Sequence, residues 1–314
     1  MSCNFLTASG FYPWQTTIKK KISTSGIGLH KGDIINLTLK PSKPNSGITF
    51  IRTDIEGDLA KRSILANYKN VSDTNMCTTI KNETDCKIST IEHLMAALSG
   101  SGVDNIDIEV NGPEVPIMDG SSKQFIDLIE NSGLVKLSKK RKFLKITKKI
   151  EIIDGDKKCS LSPDKNMKFF ASIDFSDKVI GKQEASINLE KFSFKENVSK
   201  ARTFGFMRDV EALRMSGLGL GGSLDNCVII DNNEVINAEG LRLENEFVVH
   251  KLLDAVGDIY TSGYRIQGEY KGYLCGHHMN NLLLRELFNN EDSFEIFELD
   301  DVINSNNRKE LLTA

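Results

Sequence analysis

The chain is short of the features that mark several protein classes. It has no excess of basic charge: Lys and Arg number 40 against 43 Asp and Glu, a net charge of −3. That argues against a nucleic-acid binder with a dominant basic surface. No apolar run reaches the roughly 20 residues of a membrane span. The first ten residues lack the basic n-region and long apolar h-region of a signal peptide. The six cysteines, at 3, 77, 86, 159, 227 and 275, form no C-x-x-C pair. They read as reduced thiols of a cytoplasmic enzyme. Histidine is scarce as well, with His30, His93, His250, His277 and His278 the full set.

Two of these histidines stand in informative settings. His250-Lys251-Leu252-Leu253-Asp254 falls in a stretch, 244–261, that reads as a helix. Residues four apart project from one helix face, so an imidazole nitrogen and a carboxylate oxygen can share one Zn²⁺. At about 100° per residue, Val248, Val249, Leu252, Leu253, Val256 and Ile259 fill one arc, and His250, Asp254 and Asp258 line the other. A solvated polar face is the plainer reading of that stripe. A second helix is expected over 90–98, rich in Leu, Met and Ala and stopped by Gly100 and Gly102. Glu92-His93 opens it. Ser89 with Glu92 fits the S-x-x-E capping box, a purely structural role. The functional alternative makes His93 a metal ligand and Glu92 a general base, ionised by the helix dipole. Two His and one Asp match the protein ligand count of a catalytic zinc site, and the same set suits Fe²⁺.

Along the chain, 34–39 and 106–110 alternate like strands, and helices are expected over 90–98 and 122–131. The basic stretch 138–142 reads as a solvated linker, after which strand character resumes at Phe143-Leu144-Lys145-Ile146. Strand-then-helix patterns return at 203–215 and before 244–261. The expected fold class is α+β, with two halves each running from strands to helices. Gly217-Leu218-Gly219-Leu220-Gly221-Gly222-Ser223 offers a rival reading, a phosphate-cradling loop of a small-molecule kinase. It lacks the Lys-Ser/Thr of a P-loop and the G-x-G-x-x-G spacing.

Six segments, in order, carry a resemblance: Gly26 to Gly32, Ser89 to Leu98, Pro113 to Ser121, Ala201 to Phe206, Gly217 to Asp225 and His250 to Asp258. From about Thr17 to Leu287 the chain resembles the UDP-3-O-acyl-N-acetylglucosamine deacetylase family of Gram-negative lipid A synthesis. The resemblance implies two similar sheet-and-helix domains, 17–137 and 143–290, packed face to face with the active site between them. Residues 1–16 become an extension, 138–142 a linker and 291–314 a tail. It implies a zinc-dependent amide hydrolase that converts UDP-3-O-acyl-N-acetylglucosamine to UDP-3-O-acyl-glucosamine and acetate. His93, His250 and Asp254 match the zinc ligands, Glu92 the general base, His277 the general acid and Asp258 the carboxylate that orients it. Thr203 matches an oxyanion-stabilising hydroxyl. Lys251, Phe204, Asp174 and Phe175 match substrate contacts, and Cys77 a nearby thiol without an essential role. The implied partner is the acylated UDP-sugar, with neither nucleic acid nor oligomer called for, so the chain reads as a monomer. Leu274 and Leu224 depart from the family, where Lys and Phe are frequent. A catalytically inactive zinc-binding relative is the other alternative.

Overall fold

The computed structural model describes residues 12–189 and 194–299. They form an α+β fold with two large sheets. The first sheet contains β1 (Ile22–Ile27), β2 (Ile34–Pro41), β3 (Ile48–Arg52), β4 (Ser63–Leu65) and β5 (Ile106–Val110), in the order β1-β2-β5-β3-β4. The expected alternation sets the burial. Ile35, Leu37 and Leu39 of β2 and Ile106, Ile108 and Val110 of β5 point into the core, as a period of two requires.

The second sheet contains β6 (Lys142–Ile146), β7 (Ile150–Asp154), β8 (Lys157–Ser162), β9 (Met167–Asp174), β10 (Lys182–Asn188), β11 (Arg265–Tyr273) and β12 (Phe294–Glu298). Here β11 is central. It pairs antiparallel with β8 and parallel with β6 and β9.

The longer helices among the described residues are α1 (Glu92–Ser101), α2 (Lys123–Ser132), α3 (Met207–Met215), α4 (Glu246–Tyr260) and α5 (His277–Asn289). The two halves share a local plan. α1 precedes β5, which pairs parallel with β3, and α4 precedes β11, which pairs parallel with β6 and β9. α1 ends at Gly102, whose φ of 78° is the left-handed turn that glycine adopts without a Cβ penalty.

Several sequence expectations need correction. The 138–142 stretch is strand rather than open linker. Leu134–Lys140 pairs with Trp14–Ile18, and Lys142 opens β6. Lys139 and Lys142 are exposed, as a solvated stretch requires, but Lys140 lies over the Trp14 ring, and Arg141 is buried on Asp104. Residues 14–16 and 294–298, expected in an extension and a tail, are sheet members as well. Residues 1–11 and 300–314 of those segments lie outside the described residues. Gly100 does not stop α1 but lies within it. The capping box does not form. Ile91 is the N-cap, Glu92 is the first helical residue, and the Ser89 hydroxyl accepts from Thr79 Oγ1 at 2.9 Å. The polar stripe of α4 is not solvated, since His250, Asp254 and Asp258 are all buried.

The reason is that α4 packs against α1. Both helices are buried on nearly every side, so small residues must lie where they cross. Gly257 is that residue: a Cβ there would lie 2.1 Å from the Glu92 carbonyl oxygen and 3.0 Å from Ala96 N. Gly257→Ala is therefore expected to destabilise the protein by at least the roughly 1–3 kcal/mol of an overpacked core, read from urea unfolding. Unchanged stability would contradict so close a crossing.

Candidate metal centre

The crossing of α1 and α4 brings His93 to His250 and Asp254. One ligand atom from each lies within 4.8 Å of the others, and all three residues are buried. His93 Nε2 and His250 Nε2 lie 3.5 and 3.4 Å from the same oxygen, Asp254 Oδ1. The rings meet edge to face, with centroids 4.9 Å apart.

Local contacts fix each donor. His250 Nδ1 lies 3.1 Å from the Ala201 carbonyl. A carbonyl only accepts, so Nδ1 carries the proton and Nε2 keeps its lone pair, the arrangement common in metal-binding histidines. Burial holds this imidazole neutral, with its pKa lowered to about 3. Ala201 is itself placed by its neighbour. Arg202 is fully buried, and its main chain and guanidinium bond Glu246 at the start of α4, one turn before His250.

Burial also works against charge on Asp254, yet His250 and Lys251 outweigh it and hold the carboxyl well below the usual range. Lys251 Nζ donates to Asp254 Oδ2 at 2.8 Å. The other oxygen, Oδ1, is buried without a hydrogen-bond partner among the described residues, as is His93 Nδ1. An ionised oxygen left bare between two imidazole nitrogens is costly unless a cation sits there. The donor set therefore fits a divalent metal. Cys77 lies outside this cluster, and burial, followed by the Glu92 charge, pushes its thiol up to about 12.

The groups expected to handle protons lie close to the cluster. Glu92 is buried, and Oε2 accepts from Thr78 N at 3.0 Å. Its placement at the start of α1 was expected to keep it ionised. Burial instead raises its pKa, with His277 and His93 opposing. A raised pKa makes it a stronger base. His277 is the first residue of α5, and its Nδ1 lies 2.9 Å from Asp258 Oδ2. Burial disfavours charge on His277, but Asp258 and Glu92 prevail and lift its pKa to about 9. The chain enters α5 through Leu274, whose φ of 55° is unusual for a leucine.

The expected substrate contacts are partly gathered. Phe204 lies between Phe175 and His250, with ring centroids at 5.8 and 6.3 Å, and Lys251 Nζ is 5.8 Å from the Phe204 ring. Asp174 is exposed at the end of β9, next to Phe175. Thr203 is half-buried. Its main chain bonds Gly120 and Val228, and its hydroxyl has no hydrogen bond among the described residues. The glycine loop is not a phosphate cradle. The N–H groups of Leu218, Leu220, Gly221 and Gly222 are donated to protein carbonyls, including those of Leu29 and His30.

Comparison with known proteins now decides the family. The family model for UDP-3-O-acyl N-acetylglycosamine deacetylase matches residues 15–289. The chain belongs to this family. Proteins called UDP-3-O-acyl-N-acetylglucosamine deacetylase are similar to it. The one from Shewanella violacea is 46% identical over 285 residues, covering 90% of this chain and 92% of that protein. That of Histophilus somni is 44% identical over 289 residues, with 91% and 94% covered. That of Haemophilus influenzae strain PittEE is 43% identical over the same length, with the same coverage. The family is one of metalloenzymes. The described cysteines at 77, 86, 159, 227 and 275 are free thiols, and no described helix is long and apolar enough to cross a membrane.

Sequence reasoning missed Thr78, Tyr270 and Asn280, which bond the carboxylates of the site or one another. Asn280 carried a usable signal, since it lies one turn from His277 on the same helix.

The ligand geometry predicts that His93→Ala, His250→Ala and Asp254→Ala each lose bound metal, whereas Glu92→Gln keeps it. Elemental analysis of the purified variants checks this, and full occupancy in the three ligand variants would contradict it.

Proposed function

We propose that the protein hydrolyses the N-acetyl group of UDP-3-O-acyl-N-acetylglucosamine, giving acetate and UDP-3-O-acyl-glucosamine for lipid A synthesis in the cytoplasm. The observation that carries this reading is the buried His93/His250/Asp254 cluster with Glu92 and the Asp258–His277 pair at one helix crossing. The free cysteines support a reducing compartment.

In this reading His93, His250 and Asp254 hold Zn²⁺, and the same donors accept Fe²⁺. Such an ion, when bound, would supply Lewis-acid polarisation of the amide carbonyl and a water pKa of about 7. Glu92 takes the proton from the attacking water. His277, protonated at Nε2 and held through Nδ1 by Asp258, delivers a proton to the departing nitrogen. The Thr203 hydroxyl supplies a donor where negative charge develops on the carbonyl oxygen, an interaction typically worth about 3 kcal/mol. Lys251 and Phe204 contact the substrate beside the ligands, and Asp174 with Phe175 holds its nucleotide end. The acyl chain lies along Met207 and Met215 of α3 and Leu220 and Leu224 of the next loop, large apolar side chains left exposed.

Two outcomes follow. Purified protein is expected to release acetate from the acylated UDP-sugar, with Glu92→Gln slower by about 10²- to 10⁴-fold. Removing the acyl chain should lower kcat/KM by orders of magnitude, because each buried methylene contributes about 0.8 kcal/mol. Equal kcat/KM for both substrates would refute the groove. The second outcome concerns pH. His277 acts protonated, so turnover falls as pH rises through its pKa, about 9 in the free protein. Asp258 raises that pKa, so Asp258→Asn should move the basic limb to lower pH. A limb that stayed in place would remove His277 from the acid role.

A further inference from the structure

We infer that Thr78 is a positioning residue that ties together the two carboxylates handling protons in this site. The inference rests on the roles proposed above for Glu92, Asp258 and His277. Thr78 is buried, and it reaches both carboxylates through different atoms. Its main-chain N–H donates to Glu92 Oε2 at 3.0 Å. Its hydroxyl donates to Asp258 Oδ1 at 2.6 Å. Its carbonyl accepts from Ile91 N, the N-cap of α1. One residue thus links the start of α1 to the last turn of α4.

The rest of the Asp258 carboxylate is held as tightly. Oδ2 takes His277 Nδ1 at 2.9 Å and Asn280 Nδ2 at 2.8 Å. Tyr270 O–H donates to Asn280 Oδ1 at 2.6 Å, which fixes the amide with its NH₂ toward Asp258. Every partner of Asp258 is a donor, which suits an anion with one orientation. Losing the Thr78 hydroxyl frees Oδ1 and lets the carboxylate rotate away from His277. The main-chain bond to Glu92 survives any side-chain change at this position, so the two functions of Thr78 separate experimentally.

Thr78→Val is nearly isosteric and removes only the hydroxyl. It is expected to lower kcat about tenfold, the scale of one charge-assisted hydrogen bond. KM and metal content should stay unchanged, and Thr78→Ser should restore the rate. In an Asp258→Ala background Thr78→Val should add nothing, because the bond it removes is already gone. Thr78→Ala carries the same expectations if the valine variant is unstable. Wild-type kcat in both Thr78→Val and Thr78→Ala would overturn the inference, as would full additivity with Asp258→Ala. Absence of turnover in the wild-type protein on acylated UDP-N-acetylglucosamine would instead overturn the proposed function on which it rests.

Discussion

The Glu92 carbonyl and the Gly257 Cα face leave no room for a methyl group between α1 and α4. Everything chemical in this protein depends on that approach. His93 lies one residue past the contact on α1, and Asp254 and Asp258 lie within a turn of it on α4. A helix pair separated by ordinary core side chains would hold its axes about 8–10 Å apart. Contact of the Glu92 carbonyl with the Gly257 Cα face lets donors from two helices reach one point, and the flanking Arg202–Glu246 and Thr78–Asp258 bonds join neighbouring segments to α4.

The same crossing concentrates buried charge. Asp254 is answered by Lys251 and Asp258 by His277, both at hydrogen-bond distance. Glu92 has a main-chain donor but no ion-pair partner among the described residues, and burial raises its pKa. Asp254 Oδ1 is left bare beside two imidazoles. Such an arrangement is unfavourable in an apolar interior without further positive charge. A divalent cation held by His93, His250 and Asp254 would supply it, so stability and the proposed chemistry would make the same demand on these residues.

How much of this was legible beforehand follows from what local patterns encode. The period-two strands at 34–39 and 106–110 and the helical periods of α1 and α4 appeared in the sequence because burial of one face writes them there. The His250/Asp254 spacing was equally plain. That the polar stripe of α4 is buried could not be read, because a polar face buried against another helix shows the same periodicity as one facing water. Ser89 and Glu92 have capping-box spacing, yet Ser89 bridges to Glu114 in extended backbone and the helix starts too late. The basic residues of 138–142 signalled a linker, while strand pairing about 120 residues away in sequence and the Trp14 ring made a ribbon there. Thr78 and Tyr270 lack any local signature, since their importance lies in partners distant in sequence.

The central claim is that two helices, not one motif, build the metal site. A crystal structure of the metal-loaded protein, with anomalous data collected across the zinc edge, tests it most directly. A single zinc peak bonded to His93 Nε2, His250 Nε2 and Asp254 Oδ1 is the predicted result. A peak elsewhere, or one held by α4 alone with His93 turned away, would contradict it.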